Sequence, residues 1–127
     1  AGAEDKDKIS VLAAHELLQK NAIVMIDIRS VGEWEKTGVA TQAIPLTMHR
    51  DGGIPAFSHA LAKLLEGDKT RPVALICAKG VRSSRVQQYL QKHGFTHVLD
   101  VQEGMVGGFF TEGWIDQGLP IKPFINQ

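Results

Sequence analysis

Two short apolar runs stand out in the hydrophobic pattern of the chain, one at residues 22–28 and the other at 73–77. Asp27 is the one charged residue in either run. An unbroken run of this kind is typical of a strand that is covered on both faces, as in a parallel sheet. Three shorter stretches are also predicted to be strands: residues 8–10, 43–46 and 97–101. Pro45 favours a strand end or the edge of the sheet for the second of these.

Helical periodicity fills the intervals between the strands, because apolar residues recur there every three or four positions. The predicted helices cover residues 11–20, 30–36, 55–65 and 82–93. Ser10 is expected to cap the first helix, and Gly38 is expected to end the second. The predicted inner faces of the first and last helices are formed by Val11, Leu12, His15 and Leu18, and by Val86, Tyr89, Leu90 and His93.

This alternation of strands and helices predicts an α/β fold with three layers, in which one open parallel sheet has helices on both faces. The length suits a single domain over residues 8–127, while residues 1–7 are small and charged and are expected to be flexible. Residues 103–114 are predicted to form a loop with one short helix, and residues 118–123 an extended tail. The default prediction for the aromatic side chains of this region is burial in the core, which concerns Phe109, Phe110 and Trp114.

Composition and charge exclude several classes of function. The chain has 14 basic and 14 acidic residues, so no net charge would attract it to nucleic acid or to an anionic membrane. Its apolar runs fall well short of the roughly 20 residues that a membrane-spanning helix needs. The chain starts at Ala1 without an initiator Met. That start is compatible with a cytoplasmic protein or with export to the periplasm, so the compartment stays open.

Cysteine and histidine usage argues against a metal site. The single cysteine, Cys77, excludes an internal disulfide and a cysteine-based metal cluster. The five histidines show no metal-ligand spacing with a carboxylate or a thiol. No nucleotide-phosphate motif is present either. We therefore expect neither a metal nor an organic cofactor.

The cysteine stands where the second apolar run ends and a cationic loop begins, in the sequence Cys77-Ala78-Lys79-Gly80-Val81-Arg82-Ser83. Because a helix is predicted to follow at once, the thiol would lie among the backbone N–H groups at the positive end of that helix. Such surroundings, with two cationic side chains close by, favour a nucleophilic thiolate. Gly80 relieves crowding in the loop, so that the N–H groups of residues 78–83 can converge on an anion at the sulfur.

Further side chains are candidates for supporting this loop. Lys79 is predicted to contact the substrate, whereas Arg82 can either bind the substrate or brace the loop, and both possibilities stay open. Ser83 is expected to cap the helix and can also hydrogen-bond the sulfur. For Asp27 and Arg29 we expect a structural ion pair, because a buried carboxylate needs a partner. The functional alternative is that Asp27 orients the loop through Arg82.

Short fragments occur along the chain in a specific order. They are Asp27-Ile28-Arg29 with Glu33-Trp34, the Cys77 loop, Gly94-Phe95-Thr96-His97-Val98, Glu103-Gly104 with Gly107-Gly108, Trp114, and Gly118-Leu119-Pro120-Ile121. In this order and spacing the chain resembles the rhodanese family of sulfurtransferases in its single-domain form, over about residues 8–121. The resemblance implies a fold of about five parallel strands flanked by helices, and it implies that Cys77 forms a persulfide.

By the same resemblance, the Cys77 thiolate attacks the outer sulfur of a donor such as thiosulfate, and sulfite leaves. The sulfur then passes to cyanide, to a thiol or to a protein acceptor, which is covalent catalysis in two steps. The backbone amides of residues 78–83 would stabilise the persulfide and the departing anion. The implied function is that of a thiosulfate sulfurtransferase, whose partners are a small-molecule sulfur donor and acceptor.

Two alternative functions remain. Cysteine-dependent phosphatases and arsenate reductases also pair a loop cysteine with an arginine, and the cell-cycle dual-specificity phosphatases share the implied fold. Their loops place one more residue between cysteine and arginine than the four of this chain, residues 78–81, and the smaller ring suits a sulfane sulfur better. The other alternative is a sulfur carrier that serves a protein partner, which a requirement for an acceptor protein would reveal.

Overall fold

Strands and helices alternate along the protein in the computed structural model, which describes residues 7–125. The strands are β1 (Lys8–Ile9), β2 (Val24–Asp27), β3 (Val39–Ala40), β4 (Ile44–Pro45), β5 (Val73–Ile76), β6 (Val98–Val101) and β7 (Ile121–Lys122). The helices are α1 (Val11–Gln19), α2 (Val31–Thr37), α3 (Gly53–Leu64) and α4 (Val81–Lys92). The segment predicted to be flexible, 1–7, lies outside the described residues apart from Asp7. Between residues 7 and 125 no helix is both long enough and apolar enough to cross a membrane.

Five of the strands form one parallel sheet in the order β1-β6-β5-β2-β4, which confirms the predicted α/β fold. The two apolar runs are adjacent strands inside this sheet, where Ile26 of β2 pairs with Leu75 of β5. Leu75 pairs in turn with Asp100 of β6. Pro45 stands on the edge strand β4, where its missing N–H group leaves no gap in a central ladder.

Helices cover both faces of the sheet, and successive residues of β5 therefore point into two different cores. Ala74 and Ile76 pack in the cluster that contains the buried face of α1. Val73 and Leu75 pack in the other cluster, which contains Phe57 of α3 and the buried face of α4. Burial on both faces explains why the run shows no alternation of polar and apolar residues.

Ser10 caps α1 and Gly38 ends α2, as the sequence predicts, and Ser30 adds a cap at the start of α2. At the start of α1, Ser10 Oγ accepts a hydrogen bond of 3.1 Å from the Ala13 N–H group. At the start of α2, Ser30 Oγ accepts from the Glu33 N–H group at 3.3 Å, and the Glu33 carboxylate accepts from the Ser30 N–H group at 3.1 Å. This reciprocal cap satisfies two backbone donors of the helix terminus. It also fixes Glu33 beside the end of β2.

The predicted inner faces were wrong at Leu12 and His93. Leu12 is 54% exposed, because the stripe that faces the sheet runs through Val11, Ala14 and Leu18 instead. His93 lies beyond the last residue of α4 and is exposed. It therefore does not belong to the inner face that the sequence periodicity predicts. In α4 two polar side chains, Ser83 and Gln87, are buried together with Val86 and Leu90.

The last third of the chain also departs from prediction. Residues 103–114 form turns and an isolated bridge between Gly107 and Glu112, without the short helix that was expected. Positive φ angles of +70° at Gly104 and +80° at Gly107 are incompatible with a helix here. The tail contributes β7, which pairs antiparallel with β3 in a second sheet of two strands.

Candidate active site

Cys77 follows the strand β5 directly, and its side chain is only 1% exposed. Its Sγ atom accepts hydrogen bonds from the backbone N–H groups of Gly80, at 3.1 Å, and of Ser83, at 3.4 Å. Gly80 is the residue before α4, and Ser83 lies in its first turn. The sulfur therefore lies at the positive end of the helix dipole. Hydrogen bonds from such donors stabilise an anionic sulfur more than a neutral thiol.

A left-handed glycine gives the loop its shape. Gly80 has a φ of +90°, a conformation that is open to glycine and strained for other residues. A Cβ atom at this position would also overlap the carbonyl oxygen of Gln102. Gly80 therefore lets the loop curl tightly enough for its N–H groups to face the sulfur.

A second turn supports this loop from behind. The Met105 N–H group donates to the Cys77 carbonyl at 2.8 Å, and the Val106 N–H group donates to the Ala78 carbonyl at 2.9 Å. Gly104 allows this close approach, because a Cβ atom there would overlap the Ala78 carbonyl oxygen. The two carbonyl groups are thus held by the supporting turn, which leaves N–H groups to face the sulfur.

Arg82 is paired with Glu33 at the start of α2. Its Nη1 and Nη2 atoms lie 2.7 and 2.8 Å from Oε1 and Oε2 of Glu33, and Nη1 is also 2.9 Å from Nε2 of His49. The hydrogen bond from Arg82 lowers the pKa of Glu33 to about 2, and the same bond raises the pKa of Arg82. Of the two roles that the sequence leaves open for Arg82, these contacts favour bracing the loop.

Asp27 and Arg29 form a buried ion pair, with 2.8 Å between Oδ2 and Nη2 and exposures of 0% and 1%. The Arg29 guanidinium also donates to Thr37 Oγ1 and to the Gly38 carbonyl, both at 2.9 Å. These bonds tie β2 to the end of α2. Among residues 7–125 no side-chain hydrogen bond joins either residue to the 78–83 loop. The arrangement supports a structural ion pair rather than orientation of the loop through Arg82.

Ser83 connects Cys77 with Asp100, a residue that was not predicted to belong to the site. The Cys77 thiol donates to Ser83 Oγ at 3.3 Å, and the Ser83 hydroxyl donates to Asp100 Oδ1 at 2.5 Å. The Ser83 hydroxyl is therefore turned inward and does not cap α4, which lacks a side-chain cap. Burial raises the pKa of Asp100, which is 2% exposed. Asp27 was noticed because it is a carboxylate within a predicted strand, and the sequence shows the same feature at Asp100.

The remaining loop side chains point outward. Lys79 is exposed and lines a cleft of about 430 Å³ together with residues 106–109. Val81, the first residue of α4, is 75% exposed. The default prediction of core burial was wrong for Phe109 and Phe110, which are fully exposed because the Gly107–Glu112 bridge closes a turn that projects them into solvent. The prediction was right for Trp114, which is 0% exposed.

Residues 7–125 contain no group of three His, Cys, Asp or Glu side chains that could hold a metal ion. The ring of His15 packs edge-on against Trp114, and the ring of His93 stacks on Tyr89. His49 contacts Arg82 beside the loop. Each of these histidines therefore already has a partner within the protein.

Known proteins share the sequence pattern and the fold of this chain. The sequence profile of the Rhodanese-like domain matches residues 10–108, a range that includes the Cys77 loop and its supporting turn. The chain belongs to the rhodanese family. A rhodanese relative, the thiosulfate sulfurtransferase GlpE of Coxiella burnetii, is 34% identical over 108 residues, which cover 82% of this chain and 84% of that protein.

Two solved structures illustrate how far the rhodanese fold is retained. Rv0390 from M. tuberculosis has a TM-score of 0.71 at 27% identity, covering 91% of this chain and 96% of that chain. The polysulfide-sulfur transferase of Wolinella succinogenes has a TM-score of 0.66 at 24% identity, covering 92% and 78%. The second likeness concerns the fold alone. Family membership, together with the GlpE relative, supports sulfurtransferase activity for this protein.

Proposed function

We propose that the protein is a thiosulfate sulfurtransferase that carries the transferred sulfur as a persulfide on Cys77. The observation that carries the proposal is the environment of the only cysteine, whose buried sulfur faces two backbone N–H donors at the start of a helix. The choice of thiosulfate is supported by the relative of Coxiella burnetii, which is named for that activity.

The reaction runs in two balanced steps. In the first, the Cys77 thiolate attacks the outer sulfur of thiosulfate, the S–S bond of the donor breaks, and sulfite leaves with the bonding electron pair. The outer sulfur stays on the enzyme as the persulfide anion Cys77–S–S⁻. In the second step cyanide or a thiolate attacks that outer sulfur, and Cys77 leaves as the thiolate. This is nucleophilic catalysis through a covalent intermediate.

The loop supplies electrostatic stabilisation for both anions. Its N–H groups are fixed before the reaction by Gly80 and by the supporting turn at residues 104–107, so little reorganisation is needed when charge develops on the persulfide. Lys79 stands at the surface beside the loop, and within residues 7–125 it takes part in no salt bridge. Its ammonium group is therefore available to attract a dianionic donor.

The arrangement of Arg82 argues against the phosphatase alternative. A phosphate bound in the loop would need an arginine directed at its oxygens, whereas both terminal nitrogens of Arg82 are hydrogen-bonded to Glu33. The four residues between Cys77 and Arg82 also make the smaller ring, which suits a sulfane sulfur. The sulfur-carrier alternative shares the persulfide and differs only in the acceptor.

Intact-mass measurement before and after addition of thiosulfate tests the proposal, with sulfite release followed in parallel. Because the chain has one cysteine, a gain of one sulfur atom that cyanide reverses can be compared directly with Cys77→Ala. We expect the gain and the release of sulfite in the native protein and neither in the variant. A gain in Cys77→Ala would remove the mechanism, and silence of the folded native protein would exclude thiosulfate as donor.

A further inference from the structure

Cys77, Ser83 and Asp100 form a line of hydrogen bonds that the two steps above do not use. Ser83 Oγ lies 3.3 Å from the sulfur and 2.5 Å from the Asp100 carboxylate. The shorter distance is typical of a charge-assisted bond between a hydroxyl and a carboxylate. The three residues are 1%, 0% and 2% exposed, so proton exchange along this line is shielded from water.

We propose that Asp100 accepts the proton of Cys77 through Ser83 and holds it while the sulfur is anionic. The S–H bond breaks and leaves its electron pair on the sulfur, while the proton binds Ser83 Oγ. The hydroxyl proton that Ser83 carried passes to Asp100 Oδ1. One negative charge has then moved from the carboxylate to the sulfur, and the net charge of the site is unchanged.

Sulfur transfer would use this proton store twice in each turnover, and this extension rests on the proposed function. Before the first step the thiol must lose a proton, because only the thiolate attacks the donor. After the second step the thiolate can recover the same proton from Asp100. The site would therefore complete the cycle without exchanging that proton with water, and Asp100 would act as a positioning residue through Ser83 rather than by touching the substrate.

The surroundings of Asp100 are suited to a carboxyl group that accepts a proton. Lys8 is the charged residue that pairs with it from β1, and its attraction favours the carboxylate. Leu75 pairs with it from β5, and from α4 the buried side chains nearby are Ser83 and the neutral Gln87. Burial outweighs both the hydrogen bond from Ser83 and the attraction of Lys8, and it raises the pKa of Asp100 above the ordinary value of an aspartate.

Alkylation of Cys77 by iodoacetamide as a function of pH tests the proton store without any sulfur transfer. The chain has one cysteine, so the rate reports this thiol alone. Thiolate with protonated Asp100 and thiol with ionised Asp100 have the same net charge, so their ratio does not change with pH. As the pH is lowered below the value at which most of the Cys77 thiol is protonated, we therefore expect the alkylation rate of the native protein to level off at a plateau. In Asp100→Asn the plateau should be absent, and the rate should fall about tenfold for each pH unit.

Two variants of the connecting residue keep the test decisive if Asp100→Asn does not fold. Ser83→Ala removes the hydroxyl that bonds both the sulfur and the carboxylate and should change the height of the plateau, whereas Ser83→Thr retains a hydroxyl and should leave it near the native height. Asp100 could instead act only through its negative charge and accept no proton. Asp100→Asn would then shift the plot of alkylation rate against pH to lower pH and leave its shape unchanged. That result, or a native curve without a plateau, would overturn the proposal.

Difference infrared spectroscopy of the native protein gives a readout that needs no variant. At mildly alkaline pH ordinary carboxyl groups are ionised. Conversion of Cys77 to its persulfide by thiosulfate should then produce the C=O band of one protonated carboxyl group. A persulfide confirmed by mass without this band would refute the proton store and leave the sulfurtransferase function intact. An alkylation plateau in a protein that forms no persulfide would support the proton store and refute the proposed sulfurtransferase function.

Discussion

Arg82 and Glu33 are 49 residues apart in the sequence, yet two hydrogen bonds of 2.7 and 2.8 Å join their side chains. The same Glu33 carboxylate accepts from the Ser30 N–H group and so completes the cap of α2. One carboxylate therefore holds the first turns of two helices together. Because α4 begins with the loop that surrounds Cys77, the position of that loop depends in part on the connection between β2 and α2.

Replacement of Glu33 by Gln should lower stability by about 1 kcal/mol at neutral pH, since a partly exposed pair is screened by solvent. The pKa of Glu33 falls from 4.5 to about 2 on folding, so the folded state favours the carboxylate. Its contribution is complete above the unfolded value and is lost as the pH falls toward 2. Urea unfolding of both proteins at a series of pH values should show a difference that shrinks over this acid window.

Glu35→Gln is the matched control for this experiment, because Glu35 lies in the same helix and is exposed. It should leave both the stability and its pH dependence close to native values. A Glu33→Gln protein that lost stability equally at acid and neutral pH would show that packing, and not the ion pair, explains the loss.

Replacement of Gly104 by Ala should disturb the turn that supports the Cys77 loop. Gly104 has a φ of +70°, and an added Cβ would overlap the Ala78 carbonyl oxygen. We expect a loss of about 2–4 kcal/mol from backbone strain and overlap together, with lower sulfur transfer by the molecules that remain folded.

Gly118→Ala separates these two causes, because Gly118 has nearly the same φ, +71°, and has nothing within 4 Å of an added Cβ. This substitution should lower the free energy of unfolding by the backbone strain alone, about 1 kcal/mol, and should leave sulfur transfer unchanged. Thermal unfolding and the rate of sulfite release measure the two effects. Equal losses in the two variants would mean that contact with the loop contributes nothing.

Replacement of Asp27 by Asn should leave the Arg29 guanidinium buried without its counter-charge. Arg29 is 1% exposed, so the loss should reach about 3–5 kcal/mol, as for other broken buried ion pairs. Activity per folded molecule should change little, because the hydrogen bonds of the pair run to the end of α2. Denaturant midpoints and active-site titration by alkylation of Cys77 measure the two quantities. Lost turnover in a fully folded variant would reinstate the functional alternative for Asp27.

The parts of the structure that the sequence predicts are those whose signal is local. Residues 22–28 and 73–77 are recognisable because burial on both faces leaves an unbroken apolar run. The strands β3 and β7 have two residues each and pair across the length of the chain, so no periodicity can reveal them. Phe109 and Phe110 mislead because an apolar residue type says nothing about a turn that projects it into solvent.

The candidate site divides in the same way. The Cys77 loop is a run of consecutive residues, and its cationic and glycine positions can be read together. The partners that fix it, Glu33 and Asp100, are contributed by β2–α2 and by β6, and only the parallel order of the strands brings them close. Their distance from the loop in the sequence conceals these contacts, although Asp100 itself carries the same signal as Asp27.

Replacement of Lys79 by Gln should weaken the capture of thiosulfate without affecting the fold. Lys79 is exposed beside the loop and lines the cleft with Phe109, so its charge attracts a dianion but supports no buried contact. We expect KM for thiosulfate to rise about five- to tenfold, equivalent to about 1 kcal/mol, with the unfolding midpoint unchanged. Lys63→Gln removes another exposed charge, from α3, and should leave KM at its native value. If raising the ionic strength lowered the native affinity while Lys79→Gln behaved like the native protein, the attraction would have to come from another part of the surface.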